Sequence, residues 1–290
     1  MRLCYRSRET TPERKNHVTL SIEDRTARFT LAQEIAREAG ALALGYFERL
    51  STLAVEFKHG GQDVVSIADR EVEVLIRARI AEAFPDDGVL GEEDGLVEGK
   101  SGVLWVVDPI DGTSPFLNGL SHWCVSIAVA VEGEAEIGVI YAPVSDEFFA
   151  GAKGLGAFLN DAPIAVAPAR AIEDGLLGFG SNHRIPPEDV GRFVTALLEA
   201  GGMFYRNGSG ALMLAYVACG RLVGYYEQHI NSWDCLAGLC LIQEAGGWHN
   251  DFLSGDGMLQ GNRIAAGAPQ MKSGLVALLE RVGASTETIV

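Results

Sequence analysis

Apolar residues recur at Phe29, Ala32, Ile35, Ala36, Ala39, Ala43 and Phe47. That three- and four-residue rhythm predicts an amphipathic helix in "TARFTLAQEIAREAGALALGYFERL". Val72, Leu75, Ile76, Ile80 and Phe84 repeat it and predict a second helix. Between the two, "LAVEFKHGGQDVV" predicts a strand and a glycine-containing connection. Beyond residue 101 the pattern changes to short apolar runs separated by turn signals: "GVLWVVD", "WCVSIAVAVEG", "EAEIGVIYAPV", "EFFAGAKG" and "GAFLNDAPIAVA". Asn160-Asp161 predicts a tight hairpin. Strands linked in this way predict an antiparallel sheet with the two early helices packed on it. After about residue 166, strands ("GLLGFGS", "RLVGYYE", "RIAAGA") alternate with helices ("PEDVGRFVTALLEAG", "GSGALMLAYVACG", "WDCLAGLCLIQEAGG", "QMKSGLVALLERV"). This change predicts a second α/β layer. The expected organisation is a loose extension over 1–24, an antiparallel-sheet subdomain over 25–165 and an α/β subdomain over 166–290.

Composition narrows the partners. Asp and Glu outnumber Lys and Arg 39 to 23, a formal charge of −16 over 290 residues. Nucleic acid and anionic membrane both need basic surface, so this balance argues against either as a main partner. An anionic substrate then requires intervening cations. No apolar run reaches spanning length, and "MRLCYRSRETTPERKNHVTLSIEDR" lacks the apolar segment of a signal peptide. Cys4, Cys124, Cys219, Cys235 and Cys240 form no CxxC pair. They read as reduced and mostly buried thiols of a cytoplasmic protein.

Candidate chemistry lies in acids at element ends. These are Asp63, the Glu92-Glu93 pair in "GEEDG", Asp108 and Asp111 in "DPIDGTSPF", and Asp234 in "NSWDCLAG". Each also has a plain structural reading: a turn residue, a solvated loop, or a helix cap for Asp234. If they converge, mutual repulsion demands cations, and an oxygen-only donor set without His or Cys favours Mg²⁺ over zinc. In "DGTSPF", Gly112 permits close backbone approach, Thr113 or Ser114 can cap a following helix, and Pro115 suits its first turn. Amides at such a helix start can bind phosphate. Asp108-Pro109 itself reads as a sharp turn after the strand.

"DVVSIADREVE", "GEED", "WVVDPIDGTSPF", "GAFLND", "GSGALMLAYVACGRLVGYYE" and "WDCLAGLCLIQEAGG" together resemble the inositol monophosphatase family of Mg²⁺-dependent, lithium-sensitive phosphomonoesterases. The resemblance spans roughly 27–270. It implies a mixed α+β and α/β fold, a layered α-β-α-β-α sandwich of the inositol monophosphatase and sugar phosphatase type, usually a homodimer. It also implies two or three Mg²⁺ ions. Glu92, Asp108 and the Ile110 carbonyl would hold one, and Asp108, Asp111 and Asp234 a second. A weaker third ion would use Glu92. Asp63 and Thr113 would orient and deprotonate the attacking water, with Glu92 also in the catalytic set. The Gly112 and Thr113 amides would bind phosphate, and Glu227 substrate hydroxyls.

Some positions leave the family pattern. Ser114-Pro115 replaces a more usual Thr-Asn or Lys-containing pair, which blurs specificity. Gly210 stands where the family often has Ala. Ser209 is a candidate active-site hydroxyl or a helix cap, and His229 reads as a surface-loop residue rather than a substrate contact. The expected substrate is a small polyol phosphate, inositol-1-phosphate first. Histidinol phosphate, fructose bisphosphate, nucleotide 3′-phosphates and NADP are the alternatives within the superfamily. A regulatory binding protein on the same fold is the non-enzymatic alternative.

Overall fold

The computed structural model describes residues 19–50, 55–58, 63–286 and 289. The first helix, α1 (Ile22–Phe47), begins inside the expected loose extension. Ser21 caps it by accepting the Asp24 amide at 3.0 Å, and acidic Glu23 and Asp24 suit its positive end. A short hairpin of β1 (Val55–Lys58) and β2 (Asp63–Ser66) leads into α2 (Ile67–Ala83).

An eight-stranded sheet follows, made of β3 (Gly88–Gly91), β4 (Gly95–Val97), β5 (Val103–Asp111), β6 (Cys124–Val131), β7 (Glu134–Ala142), β8 (Glu147–Ala152), β9 (Gly156–Leu159) and β10 (Ala162–Pro163). Its order is β10-β9-β8-β7-β6-β5-β3-β4. The expected antiparallel meander runs from β5 to β10. β3 departs from it by pairing parallel with β5. At the β9–β10 turn Asn160 and Asp161 both adopt positive φ, 46° and 65°, as the mirror-image hairpin turn requires.

The second sheet contains β11 (Leu176–Gly180), β12 (Met203–Tyr205), β13 (Gly224–Ile230), β14 (Trp248–His249) and β15 (Asn262–Gly267), in the order β12-β11-β13-β15-β14. Four longer helices accompany it: α4 (Pro187–Glu199), α5 (Gly210–Ala218), α6 (Ser232–Glu244) and α8 (Lys272–Arg281); a short α7 (Gly257–Gln260) precedes β15. Among the described residues, no helix is long and apolar enough to cross a membrane.

Side-chain alternation sorts these elements into layers. Trp105, Val107, Ile127 and Val139 point from the first sheet into a core with Ile35 and Ala36 of α1 and Ile76 of α2. Val106, Ala128 and Ile140 point to the other face, against α5, α6 and the Tyr225 and Ile264 side of the second sheet. Leu177, Phe179 and Tyr226 point outward onto α4 and α8. The result is an α-β-α-β-α sandwich. Because both faces of β5 and β6 are covered, these strands read as nearly unbroken apolar runs. The central core draws on residues from both sides of position 165, so the two sheets share one interior. There β7 meets α6 backbone to backbone. A Cβ at Gly138 would lie 2.2 Å from the Ala237 carbonyl oxygen.

Candidate active site

β3 ends where β5 reaches Val107. Their parallel register pairs Gly91 with Val107, so the next residues, Glu92 just past β3 and Asp108 within β5, stand side by side toward the carboxyl edge of the sheet. The "DPID" segment is not the turn expected after the strand. β5 continues to Asp111, and a bulge between Asp108 and Asp111 takes up the extra residue. Pro109 cannot donate to a ladder and is tolerated at such a bulge. The bulge re-aims the two aspartates. Asp108 Oδ1 accepts the Ile110 amide at 2.9 Å, which fixes that carboxylate. The chain turns only at Gly112, whose φ of 96° a side chain would resist. Gly112, rather than Thr113 or Ser114, is therefore the cap of α3 (Thr113–Leu117).

Asp234 arrives from the far side of the sequence. It is the third residue of α6 and not its cap. Asn231 takes the cap position, and Asp234 Oδ2 accepts the Asn231 amide at 3.1 Å. Glu92, Asp108 and Asp234 then offer carboxylate oxygens that all lie within 4.8 Å of one another. Asp108 is buried, and the other two are half-buried. Asp111 stands beside this trio. Its Oδ2 accepts the Ser209 hydroxyl at 2.5 Å and the Ala211 amide at 2.7 Å, and its Oδ1 faces the Gly210 amide at 3.3 Å. Ser209 also accepts the Leu212 amide at 3.2 Å as cap of α5, which is the cap role considered for it.

Burial first, then mutual repulsion, pushes the Glu92 and Asp108 carboxyls well above their ordinary range. Asp111 is raised to about 7 by burial and by Asp234, against the bonds from Ser209, Ala211 and Gly210. Asp234 is also raised by burial, although its bonds to Asp108 and Asn231 and the nearby Arg184 oppose the shift. Like charges this close need either protons or a cation. An all-oxygen donor set with no imidazole or thiolate fits a hard divalent ion.

The remaining expected residues divide. The Thr113 hydroxyl donates to the Ile110 carbonyl at 3.2 Å. Glu227, on β13, is buried. It accepts the Tyr225 hydroxyl at 2.5 Å and the Asn182 amide at 3.3 Å. Burial raises it to about 7, with the Tyr225 bond opposing. Gly180 makes room for this pair, since a Cβ there would lie 2.1 Å from Glu227 Oε2 and 2.3 Å from the Tyr225 hydroxyl. The Asp63 side chain, Cys4 and the rest of residues 1–18 lie outside the described residues; the other four cysteines are free, and all but Cys219 are buried. His229 is in β13 and not in a loop, with ring nitrogens 3.3 Å from Arg184 Nη1 and 3.0 Å from the Gln260 carbonyl.

A cavity of about 560 Å³ opens over the site, lined by Glu92, Asp111, Glu227 and Asp234 among others. Ser114 lines it, whereas Pro115 is buried and packs on Gly208. The polar half of the unusual Ser114-Pro115 pair is thus the half that faces the cavity. Two contributors were not anticipated. Arg184 and Arg206 also line the cavity. Away from it, Glu73 of α2 is fully buried and accepts the Glu93 and Asp94 amides at 2.8 and 3.0 Å, while Arg77 pairs with it at 2.7 Å. It holds the loop that carries Glu92. The spacing of Glu73 on the buried face of α2 was the one available hint.

Comparison with known proteins agrees with this architecture. Residues 24–284 match the model of the inositol monophosphatase family. The chain is 38% identical over 258 residues to Nus factor SuhB of Haemophilus influenzae, covering 88% of this chain and 96% of that protein. It is 36% identical over 261 residues to inositol-1-monophosphatase of Rhizobium meliloti, covering 89% and 97%. The solved structure of extragenic suppressor protein suhB from Bartonella henselae matches with a TM-score of 0.81 at 32% identity, over 88% of this chain and 98% of that one. From this match, spanning motifs, fold and the converging acids alike, the chain belongs to the inositol monophosphatase family.

Proposed function

We propose that this protein is a Mg²⁺-dependent phosphomonoesterase acting on small polyol phosphates of the inositol-1-phosphate kind. One observation carries the reading: Glu92, Asp108 and Asp234, from three distant segments, bring carboxylate oxygens within 4.8 Å of one another. In this reading Glu92, Asp108 and the Ile110 carbonyl hold one ion. Asp108, Asp111 and Asp234 hold a second, and Glu92 serves a weaker third. Bound there, Mg²⁺ would offset the carboxylate charge, acidify an attacking water and stabilise the departing alkoxide.

The chain's own groups do the rest. Ser209, Gly210 and Ala211 hold Asp111 in place before any ligand arrives. Because the Thr113 hydroxyl donates to Ile110, its lone pairs are left to accept a hydrogen bond from the attacking water. Asp63 takes the proton, and the Gly112 and Thr113 amides bind the phosphate oxygens. Glu227 accepts substrate hydroxyls.

The test is phosphate release from inositol-1-phosphate, histidinol phosphate, fructose bisphosphate, a nucleotide 3′-phosphate and NADP, each with Mg²⁺ and with EDTA. Turnover of inositol-1-phosphate that requires Mg²⁺ and is lost in Asp108→Asn is expected. A second reading, a regulatory binding protein on the same fold, is favoured by the name of the Haemophilus relative, a Nus factor. Release of phosphate from none of these esters would turn the conclusion to that reading.

A further inference from the structure

The cavity's acidic groups are accounted for by the proposed metal and hydroxyl sites, but its two arginines are not. Arg184 follows β11 and Arg206 follows β12, at the carboxyl ends of neighbouring parallel strands. Ligands of α/β sheets bind at this end. Both line the same cavity as Glu92, Asp111 and Asp234.

Each guanidinium is held by neutral acceptors. Arg184 Nη1 donates to Asn231 Oδ1 at 3.2 Å and lies 3.3 Å from His229 Nδ1. Arg206 Nη2 donates to the Ser181 carbonyl at 3.0 Å. Among the described residues neither forms an ion pair with a carboxylate, whereas Arg25, Arg28, Arg77 and Arg221 all do. In a chain of net charge −16, acidic partners are abundant. Arg184 feels the charge of Asp234 and Arg206 that of Glu227, but neither spends a donor on a carboxylate, so donors remain for an incoming anion. Their planar donor forks match carboxylate and phosphate oxygens, while a neutral hydroxyl needs no fork.

Arg184 is also tied to the reaction centre. Asn231, which accepts from it, donates through Nδ2 to Asp234 Oδ2 at 3.1 Å. A group bound by Arg184 is therefore registered against one of the three converging carboxylates. Both Glu227 oxygens accept from Tyr225 and Asn182, and neither arginine hydrogen-bonds to that carboxylate, although the Arg206 charge is felt there.

We propose that Arg184 and Arg206 form a subsite for a second anionic group, a carboxylate or a phosphate, borne on the alcohol portion of the substrate. The proposal rests on the phosphomonoesterase reading and narrows its substrate class. Esters with an anionic tail are favoured over inositol-1-phosphate, whose tail is neutral.

The test compares kcat/KM for inositol-1-phosphate, 3-phosphoglycerate, fructose 1,6-bisphosphate and phosphoethanolamine, whose tails are neutral, carboxylate, phosphate and ammonium. The expected order places the two anionic tails above the neutral one and the ammonium last. In Arg184→Gln/Arg206→Gln the ratio of anionic-tail to neutral-tail kcat/KM falls by about tenfold to a hundredfold, the worth of a hydrogen bond to a charged group. The double Lys variant keeps charge without the fork and recovers part of that ratio. A ratio unchanged in the Gln variant, with every ester slowed by one common factor, would mean that the arginines only steer anions and would overturn the subsite. Calorimetric Kd values for the same four compounds, with Ca²⁺ in place of Mg²⁺, separate the two proposals. If no ester is turned over but the Kd ratio still depends on the arginines, the subsite stands and the phosphatase reading falls. If the Kd ratio is indifferent to them, the subsite falls.

Discussion

Neutralising Asp108 should stabilise the metal-free protein, and a divalent cation should largely cancel that advantage. At 4.8 Å, the outer limit of separation in the trio, two charges repel by about 3.5 kcal/mol at an effective dielectric of about 20. Asp108→Asn deletes two of the three pairs and keeps an oxygen to accept the Ile110 amide. Proton uptake caps the recoverable energy, because protonating an ordinary carboxyl at neutral pH costs about 4 kcal/mol. The metal-free variant should thus be more stable than wild type by about 2–4 kcal/mol. With an unfolding entropy of about 2.1 cal/mol/K per residue, that is a Tm rise of about 3–7 °C for a chain of this length. Mg²⁺ at about a hundred times its Kd adds about 2.7 kcal/mol to the wild type, or about 4–5 °C, and little to the variant. Thermal melts in EDTA and in Mg²⁺ read both numbers. A pH series supplies the sign. Asp111 rises from 3.8 to about 7 on folding, so its contribution favours the folded state at low pH and is lost as pH climbs from about 4 to about 7. Metal-free protein should lose stability over that window, and Mg²⁺ should flatten the loss. A variant less stable than wild type in EDTA, together with a wild type indifferent to Mg²⁺, would refute the convergence argument.

Other sites make independent predictions. Asp87→Ala strands the buried Arg28 guanidinium, which now donates Nε and Nη2 to Asp87 at 2.8 and 2.9 Å, and should cost about 3–5 kcal/mol by denaturant titration. Burial alone would raise the Asp87 pKa, but Arg28, Ser101 and Trp105 outweigh it and hold it low, so its stabilisation persists above 3.8 and is lost as acid drives the pH below that value. Glu73→Ala removes the acceptor of the Glu93 and Asp94 amides; the Mg²⁺ concentration for half-maximal activity should rise about tenfold or more, with kcat at saturating Mg²⁺ changed less, the cost of a misplaced ligand shell. Gly180→Ala forces Glu227 and Tyr225 apart; a Tm drop equivalent to about 1–3 kcal/mol and a raised KM are expected, and unchanged values of both would contradict the packing argument.

Much of this was legible from local pattern. Helical spacing marked α1 and α2, and the Asn160-Asp161 pair marked a hairpin whose two turn residues do adopt positive φ. The two- and three-residue strands β4, β12 and β14 are too short to show alternation and went unread. Asp-Pro has the chemistry of a turn, and only pairing with β6 reveals that it forms a bulge within a strand. The acids at Glu92, Asp108 and Asp234 could be suspected because the sequence pattern puts each at the expected end of an element, although Asp108 proves to lie within β5 and Asp234 within the first turn of α6. Arg184 and Arg206 could not, since exposed arginines after strands are commonplace and only the tertiary fold turns these two into one cavity. Likewise the Asp87–Arg28 pair spans 59 residues and leaves no periodic trace.

The backbone contact between Gly138 and Ala237 reaches beyond packing. It fixes the distance between a sheet and the helix whose first turn carries Asp234, so it works as a mechanical stop for a carboxylate one turn away on that helix. If these acids bind a cation as proposed, its affinity is then partly a property of the packed interior. A lesion with no charge, no polar atom and no access to the cavity can imitate the loss of a ligand.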